Sequence, residues 1–513
     1  MKKGIFSPLA AVLLLTVLVS SEGHADTPYK NIVILFENDV HCAIDGYAKM
    51  AGLRDAIADT AYVALVSSGD YLQGGNVGAI SRGGYIVDIM RHMHYDAVTI
   101  GNHEFDYSVP RQRELLLSLS APVLCVNLFD NDGRRIYTPY IIKEFGDRKV
   151  AFIGVVTGET EQTEAYAFST DGKQLYCLRT PQITTLVQQA VNEARAQGAD
   201  YVVLLSHMGE DPVKDTPNSH DVVAATSGID VVLDGHTHNA IRCDTVMNIN
   251  GHPVYISQTG TRFANIGKLV LSRDGHISLD LIPTKQISYS NAHVAHVTDS
   301  ICTVAKAVTG KVLFRSDYSL IALNSKGDWQ VRMAETNAGD LVADALRYLM
   351  QADIGLTNGG GIRCDIEAGN VTYAQVTDML PFDNHIVKIQ ATGAQILEML
   401  TQCIQELPAE NGDFPQVSGI HFTVHTASHT IADVEIQQAD GSYKPIDPNA
   451  IYTIGTTDYC AYRGGFGNIF THCTVLQSSP YYYRDAIAIY IDEIHKGSLP
   501  TAYAHPQGRI NIK

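Results

Sequence analysis

The chain has 513 residues, of which 45% are hydrophobic and 18% are charged, and its formal net charge is −18. At about 150 residues per domain, this length predicts two or three globular domains, and the composition excludes a largely disordered chain. The 55 acidic residues outnumber the 37 basic ones, which disfavours a nucleic-acid polymer as a partner because phosphate backbones are bound by basic surfaces. A small anionic ligand would need a local positive site, such as a bound metal ion.

Residues 1–25 have the pattern of a secretory signal peptide. Lys2 and Lys3 precede an apolar stretch over 9–19, and small residues suited to cleavage follow at 23–25. The apolar stretch is shorter than the roughly 20 residues that a membrane span needs. We therefore expect a periplasmic or secreted protein with no membrane anchor. The nine cysteines include no Cys-x-x-Cys pair, so we expect no disulfide framework and mostly buried thiols.

Short apolar strands alternate with helical stretches between Asn31 and about Ile287. The predicted strands are mostly β-branched and end at Gly, Asn, Asp or Ser, which is typical of buried strands. Strands are predicted at 32–36, 62–66, 97–100, 150–153, 201–205 and 230–233, and helices at 84–93 and 180–197. This alternation predicts a layered α/β domain over residues 29–287.

A single amphipathic helix is predicted over about 291–310, where Val294, Val297 and Ile301 recur at helical spacing. We interpret residues 288–312 as a linker helix between two domains. The remaining residues, 313–513, are predicted to form a second domain. It has helical patterns at 339–350 and 393–406 and several short strands, which predicts an α/β class here as well.

Polar residues able to bind a metal ion follow five of the predicted strands of the first domain. The segments are Asn38-Asp39-Val40-His41, Ser68-Gly69-Asp70, Gly101-Asn102-His103-Glu104-Phe105-Asp106, Ser206-His207-Met208-Gly209 and Asp234-Gly235-His236-Thr237-His238. Ligands bind beyond the carboxyl ends of the strands in α/β sheets, so these loops are expected to converge. One such segment alone would be read as an ordinary turn, but five together predict a functional site.

The candidate metal ligands combine imidazole nitrogens with hard oxygens, a mixture that favours Zn, Mn or Fe over Ca or Mg. They are Asp39, His41, Asp70, Asn102, His207, His236 and His238. Seven ligands are too many for one tetrahedral site, and they fit two divalent ions that share a carboxylate. The positive charge of the ions would let this acidic chain bind a phosphate dianion. His103, with a carboxylate three residues later at Asp106, fits charge stabilisation by an oriented imidazole.

The succession of Asp-x-His, Gly-Asp, Gly-Asn-His-Glu and Gly-His-x-His resembles the calcineurin-like metallophosphoesterases. Three later segments are similar to the C-terminal domain of 5′-nucleotidases: Glu335-Thr336-Asn337-Ala338-Gly339-Asp340-Leu341, Asn358-Gly359-Gly360-Gly361-Ile362-Arg363 and Leu380-Pro381-Phe382. Together the motifs resemble the secreted bacterial 5′-nucleotidase family over nearly all of the mature chain. The resemblance implies a four-layer β-sandwich flanked by helices, a linker helix and an α/β substrate-binding domain.

The resemblance also implies roles for individual residues. One metal ion would bind Asp39, His41, Asp70 and His238, and a second would bind Asp70, Asn102, His207 and His236, so that Asp70 bridges. His103 and Asp106 match the family's catalytic pair. Five residues match substrate contacts: Arg332, Asn358, Arg363, Phe382 and Tyr459. The implied activity is hydrolysis of nucleoside 5′-monophosphates by in-line attack of a metal-bound hydroxide, with a small nucleotide as the partner.

Several alternatives stay open at this point. UDP-sugars, other nucleotide pyrophosphates or 2′,3′-cyclic nucleotides could be the substrate, and a thiosulfohydrolase-like enzyme or a non-catalytic nucleotide-binding relative is also compatible. The oligomeric state is open as well.

One segment departs from the family pattern Ala-x-Gly-Gly-Asp-Gly, whose Asp binds the ribose hydroxyls. Here the run Ala461-Tyr462-Arg463-Gly464-Gly465-Phe466-Gly467 has one inserted residue, and Phe466 stands where the carboxylate is expected. A phenyl ring cannot accept hydrogen bonds from ribose, so we predict that kcat/KM for ribo- and deoxyribonucleotides differs by less than about tenfold. Phe466→Asp should widen the difference. The alternative is that another acceptor, such as Asp458, replaces the lost one.

Overall fold

The computed structural model describes residues 30–513 except 171, 172, 214, 383 and 463. The predicted signal peptide at 1–25 therefore lies outside the described residues. None of the helices in the described part of the chain combines the length and the apolar character needed to cross a membrane. We call the elements from Ile32 to Gln286 the first region and those from Val312 to Ile512 the second region.

Two six-stranded sheets form the centre of the first region. The strands of the first sheet lie side by side in the order Ile277–Pro283, Asn265–Leu271, Ile32–Glu37, Tyr62–Ser67, Ala97–Thr99 and Val123–Leu124. Those of the second sheet lie in the order Ala240–Met247, Pro253–Thr259, Val231–Leu233, Tyr201–His207, Arg148–Val156 and Tyr140–Phe145. The central strands of each sheet are parallel, with Ile32 opposite Tyr62 in the first and Tyr201 opposite Val150 in the second.

The two sheets pack face to face, and helices cover their outer faces. Alternate residues of the strand Ile32–Glu37 serve two cores: Ile34 and Phe36 are buried between the sheets, whereas Val33 and Leu35 are buried beneath helices. Burial on both sides explains the unbroken apolar run, and each such side chain contributes about 1.5–3 kcal/mol. The resulting order of layers is helix, sheet, sheet, helix, which confirms the predicted four-layer sandwich.

The remaining elements of the first region are helices, short 3-10 helices and two small ribbons. The helices are Tyr47–Ala58, Gly75–Ser81, Gly84–Met93, Val109–Ser118, Thr160–Thr163, Ile183–Ala196 and Ser219–Ala225. The 3-10 helices are Ile44–Gly46, His103–Phe105, Ala165–Phe168, Thr180–Gln182 and Thr284–Gln286. The ribbons pair Phe129–Asp130 with Tyr176–Cys177 and Ser169–Thr170 with Lys173–Gln174.

The second region is also α/β, as predicted. Its five-stranded sheet has the order Pro415–Ser418, Ile354–Asn358, Ile451–Thr457, His385–Thr392 and Thr474–Tyr482, and its four-stranded sheet has the order Tyr443–Pro445, Thr430–Gln437, Ile420–His425 and Ile510–Ile512. Val312–Ser316 pairs with Gly369–Thr372. The helices are Asn337–Met350, Tyr373–Met379, Gly393–Cys403, Asp458–Tyr462 and Tyr483–His495, and 3-10 helices lie at Gln330–Arg332, Gly359–Gly361, Gly465–Asn468 and Thr501–Ala504.

A helix at Ala292–Thr309 connects the two regions along the chain. Its first turn is capped by Asn291, whose side chain accepts hydrogen bonds from the N–H groups of His293 and Val294. The helix packs against first-region helices Tyr47–Ala58, Gly75–Ser81 and Gly84–Met93, and it also touches Tyr373–Met379 of the second region. The predicted helix is therefore present, while the domain boundaries at 287 and 313 remain a prediction.

All nine cysteines lie in the described residues, where each is a free thiol. The expectation that most are buried is wrong, because only Cys42, Cys125, Cys403 and Cys460 are. Cys243 is exposed because it lies on Ala240–Met247, an edge strand whose side chains largely face solvent.

Candidate functional site

The loops that follow the central strands of both sheets meet at one edge of the sandwich. Within the first sheet, the N–H of His41 donates to the carbonyl of Asp70 at 2.9 Å. Between the sheets, the Nδ1–H of His207 donates to the carbonyl of Ser68 at 2.7 Å, and the N–H of His236 donates to the Asp39 carboxylate at 3.0 Å. The two bonds between the sheets bring segments more than 100 residues apart into one site, as expected for the carboxyl ends of parallel strands.

Four of the predicted ligands form a compact group. The ligand atoms of Asp39, His41, Asp70 and His238 all lie within 4.8 Å of one another. The two Nε2 atoms of His41 and His238 are 3.0 Å apart, and His238 Nε2 is 3.4 Å from Asp39 Oδ1. Imidazole nitrogens and carboxylate oxygens that point at a common centre are the donor set of a divalent transition metal.

The other three predicted ligands are His207, which also approaches Asp70, and the neighbouring pair His236 and Asn102. His207 Nε2 is 3.2 Å from Asp70 Oδ2, and His236 Nδ1 is 3.0 Å from Asn102 Oδ1. Within the described structure, His207 Nε2 is buried and makes no hydrogen bond of good geometry, although Nδ1 of the same ring is committed to Ser68. A buried ring nitrogen without a partner needs an explanation, and a cation at this position supplies one.

The charges at this edge suit a cation. Burial disfavours the ionised form of Asp70, but His207, His103 and His41 outweigh it and hold the pKa of this carboxyl well below its usual range. Burial lowers the pKa of His41 to about 4, so its ring is neutral at physiological pH. Ionised carboxylates and neutral imidazoles are the forms that bind metal ions. For His207, the neighbouring carboxylates Asp70 and Asp39 outweigh burial and raise the pKa to about 10, so a bound cation would displace this proton.

The backbone at the candidate ligands is strained. Asp39, His41, Asp70, His236 and His238 have positive φ angles of 52°, 46°, 60°, 88° and 61°. Residues other than glycine rarely adopt this left-handed conformation, and such outliers persist where the surrounding structure over-determines them. Five of the seven predicted ligands thus carry backbone strain, which indicates a site shaped for function.

Glu104 holds the strand-end loops together. Its carboxylate accepts hydrogen bonds from the N–H groups of Asp70, Tyr71, Leu72 and Gly101, at distances between 2.6 and 3.0 Å. In the sequence, Glu104 stands only as one member of the Gly-Asn-His-Glu motif, and no role was predicted for it. Four convergent backbone donors on one buried carboxylate fix the position of Asp70 at the centre of the site.

Glu159 is a second residue that the sequence analysis missed. Its Oε2 lies 3.0 Å from Nε2 of His236, whose other ring nitrogen points at Asn102. A carboxylate on the outer nitrogen fixes the tautomer and orientation of a metal-binding histidine. Glu159 follows the strand Arg148–Val156, so its place after a strand end was the available signal.

His103 and Asp106 are paired as expected. His103 Nδ1 is 3.0 Å from Asp106 Oδ2, and the backbone N–H of His103 donates to Asp70 Oδ1 at 2.9 Å. Burial works against a charged ring, but Asp106 and Asp70 outweigh it and raise the pKa of His103 to about 9. The imidazole therefore carries a proton and a positive charge at neutral pH.

A cavity of about 570 Å³ lies next to this pair, between the two regions. The first region contributes Asn102, His103, Asp106 and Glu164 to its lining. The second region contributes Arg332, Asn358, Gly360, Gly361, Arg363, Phe382, Asn384, Asn411, Gly412, Asp413 and Tyr459. All five residues predicted to contact substrate thus line one cavity together with the predicted catalytic pair.

The structure corrects the interpretation of Phe466. Its side chain is fully buried in the core of the second region, edge-to-face with Phe470 at 6.2 Å between ring centroids, so it cannot stand at the cavity wall. Its φ of 54° turns the ring inward. Phe466→Asp would therefore bury a carboxylate in an apolar core rather than restore a ribose contact.

Asp413 occupies the cavity wall instead. It accepts a hydrogen bond from the N–H of Gly467 at 3.3 Å, next to Phe466. Asp458, the acceptor suggested as an alternative, is buried and is absent from the described lining. No role was predicted for Asp413 from the sequence, because its loop reaches the cavity only by packing against the segment around Gly467.

Residues 32–240 match the family model of calcineurin-like phosphoesterases, and residues 320–472 match the C-terminal domain of 5′-nucleotidases. The chain belongs to the 5′-nucleotidase family. The predicted family, fold and enzyme class, a hydrolase of phosphoric ester bonds, are confirmed at this level.

The relatives of this chain differ from it at most positions of their sequences. The trifunctional nucleotide phosphoesterase protein YfkN of Bacillus subtilis is 24% identical over 493 residues, which cover 86% of this chain but 32% of that protein. The chain thus spans about a third of that relative. The 5′-nucleotidase of Vibrio parahaemolyticus is 26% identical, with 82% of this chain and 83% of that protein covered. A solved structure of a putative 5′-nucleotidase from Staphylococcus aureus shares the fold, with a TM-score of 0.75, 20% identity, and coverage of 94% of this chain and 100% of that chain.

Proposed function

We propose that the protein hydrolyses nucleoside 5′-monophosphates to nucleosides and phosphate, with two divalent metal ions as cofactors. One observation carries the proposal: the same cavity is lined by the His103–Asp106 pair on one side and by Arg363, Phe382 and Tyr459 on the other. The first side suits phosphoryl chemistry, and the second suits a flat aromatic base with an attached anionic group.

The proposed ligands of the first ion are Asp39, His41, Asp70 and His238, and those of the second are Asp70, Asn102, His207 and His236. Asp70 would be shared, since it lies near both groups. The mixed nitrogen and oxygen donors suit Zn, Mn or Fe. When bound, the ions polarise the phosphoryl oxygens and lower the pKa of the attacking water.

His103 is proposed to stabilise charge on the transferring phosphoryl group. Its ring is protonated at neutral pH and partly exposed to the cavity. Asp106 accepts from Nδ1 at 3.0 Å, which orients the ring and leaves its other N–H as a donor toward the cavity. A preorganised charged donor that needs no rearrangement during the reaction is an effective way to lower the barrier.

The second region is proposed to select the nucleotide. Phe382 and Tyr459 would stack on the base, and stacking is tolerant of sequence because every base has a π-face. Arg332 and Arg363 would meet the anionic group, since guanidinium groups pair with phosphate oxygens in a bidentate manner. Asn358 is held at the cavity by donating from Nδ2 to the carbonyl of Gly412 at 3.2 Å.

Asp413 is proposed to accept hydrogen bonds from the ribose hydroxyls. It lies on the same wall as Tyr459 and Asn358, and burial raises its pKa, which disfavours the free carboxylate until a donor arrives. This assignment replaces the sequence-based expectation of weak ribose recognition.

We also propose that the protein acts outside the cytoplasm, on the basis of the signal-peptide pattern in residues 1–25.

The test is product analysis by chromatography, together with phosphate release, for the purified protein stripped of metal and then supplied with Mn, Zn or Co. The panel would contain AMP, UDP-glucose, 2′,3′-cyclic AMP and a thiosulfate ester, with His103→Ala as the control variant. We expect metal-dependent release from AMP and little from the variant. Activity confined to UDP-glucose, cyclic AMP or a thiosulfate ester would contradict the proposal, as would full activity without metal.

A further inference from the structure

Trp329 is the only tryptophan of the chain, and it lies beside the two arginines of the cavity. The guanidinium carbon of Arg332 is 4.6 Å from the centroid of its ring, and that of Arg363 is 5.4 Å away. Both distances are within the roughly 6 Å over which the electron-rich face of an aromatic ring attracts a cation, and tryptophan gives the strongest such interaction.

Each arginine also has a second support. Glu410 accepts the backbone N–H of Trp329 at 2.9 Å and lies 3.8 Å from Nη1 of Arg332. Arg363 donates from Nη1 to the carbonyl of Gly360 at 3.2 Å, and its guanidinium is 5.7 Å from the ring centroid of Phe382. Trp329 is therefore the element that the two arginines have in common.

Holding two guanidinium groups near each other requires compensation. Burial, and then the like charge of Arg332, lower the pKa of Arg363. A carboxylate between the two arginines would neutralise them, but it would also compete with an anionic ligand for the same N–H donors. An indole ring attracts both guanidinium groups and uses none of their N–H groups, so the donors stay available to the ligand.

We propose that Trp329 is a positioning residue, which holds Arg332 and Arg363 together on the cavity wall so that both meet the phosphate of the nucleotide. The inference rests on the proposed function, because the phosphate is the only anionic part of a nucleoside monophosphate. Since both arginines contact the ring, occupation of the cavity by an anionic ligand changes the surroundings of the indole. The chain contains a single tryptophan, so tryptophan emission, excited apart from that of the tyrosines, reports on this event.

The first measurement uses the fluorescence of the metal-loaded wild-type protein. The analogue of AMP in which a methylene group replaces the bridging 5′ oxygen is a phosphonate that a phosphate monoesterase cannot hydrolyse, and it should produce a saturable change in tryptophan emission. Adenosine, which lacks the anionic group, should produce a much smaller change at saturation. Equal changes with both ligands, or none with the phosphonate, would overturn the proposal, because the ring would then not sense the arginines.

The second measurement separates positioning from simple packing. Trp329→Leu should raise KM for AMP roughly tenfold while kcat stays within about twofold, and Trp329→Phe should restore KM to within about threefold of wild type. Phe129→Leu is the matched control, because its ring also lies against two arginines, with Arg179 at 3.7 Å and Arg135 at 5.2 Å, but does not line the cavity. The control should keep the wild-type KM.

The outcomes distinguish this inference from the proposed function. If wild type hydrolyses AMP and Trp329→Leu has an unchanged KM, with only a lower thermal stability, the ring merely packs and the inference is wrong. If wild type hydrolyses p-nitrophenyl phosphate but no nucleoside monophosphate, the proposed function is wrong and the inference falls with it.

Discussion

The candidate metal site and the wall of the nucleotide cavity are built in different ways. In the first region, each predicted ligand lies at the end of a strand or just after it, and parallel pairing brings the strand ends together. In the second region, Arg332 lies on a 3-10 helix, Asn358 ends a strand, Asp413 lies in a loop and Tyr459 is on a short helix. Where every site residue lies at the end of a strand, the strand pattern alone predicts the site residues. A cavity wall that is assembled from unrelated segments cannot be predicted in this way.

Two buried carboxylates, Asp70 at the candidate metal site and Asp458 in the second region, have their pKa values shifted in opposite directions. In the first region, the imidazoles around Asp70 hold its pKa down. In the second, burial raises the pKa of Asp458 to about 8. A carboxylate among imidazoles is poised to bind a cation, whereas one buried in the second region is kept neutral.

The largest effect is expected at the shared ligand. Asp70→Asn should lose metal and lower kcat at least about a thousandfold, because removing the carboxylate weakens both proposed ion sites. His103→Ala should keep both ions and lower kcat by roughly a hundredfold or more, since it removes only charge stabilisation. Metal analysis of the purified variants gives the number of bound ions, and phosphate release from AMP gives kcat. Two bound ions and a normal rate in Asp70→Asn would end the dinuclear proposal.

Substitution of the aromatic residues of the second region should weaken substrate binding without changing the metal content. Phe382→Leu and Tyr459→Leu should each raise KM for AMP about tenfold, because stacking on one base contributes roughly 1–3 kcal/mol. Ribose 5-phosphate, which has no base, is the matched control substrate, and its KM should not change. An equal rise for both substrates would indicate that the rings act on the ribose or the phosphate.

A smaller effect is expected for ribose recognition by Asp413. Wild type should prefer AMP over dAMP by about tenfold or more in kcat/KM, since a hydrogen bond to a charged acceptor contributes roughly 1.5–3 kcal/mol. Asp413→Asn keeps the shape but weakens the acceptor, so the preference should fall severalfold. A wild-type ratio near one would instead support the sequence-based expectation of weak discrimination.

The smallest effect concerns stability rather than turnover. Burial raises the pKa of Asp458 from an ordinary value of 3.8 to about 8, so between these values the folded protein holds a proton that the unfolded chain has released. The free energy of unfolding should therefore decrease as the pH rises from about 4 to 8. Asp458→Asn removes the titrating group. Between pH 6 and pH 8, the free energy of unfolding of this variant should therefore decrease by about 2 kcal/mol less than that of wild type. If denaturant unfolding gave the same pH dependence of the free energy of unfolding for wild type and variant, the raised pKa of Asp458 would be contradicted.

Much of the first region could be predicted because its signals are local. Apolar runs such as Tyr201–His207 are buried on both faces, and the polar residues directly after them must lie at the sheet edge. The helix expected at 393–406 ends earlier, at Cys403, because the chain turns there into a loop that no periodic pattern marks. Boundaries of this kind depend on the packing of the loop and not on the residues of the helix.

By itself, the sequence predicted six strands of the first region, the helix between the two regions, the seven candidate metal ligands and the His103–Asp106 pair, because motif spacing and strand ends are properties of adjacent residues. Only the tertiary structure decided the fate of Phe466, which a left-handed backbone turns into the core. It likewise brought Asp413 to the cavity and Trp329 to two arginines that lie 3 and 34 residues further along the chain. Such contacts arise when distant loops pack together, and no local pattern encodes which of their side chains will meet.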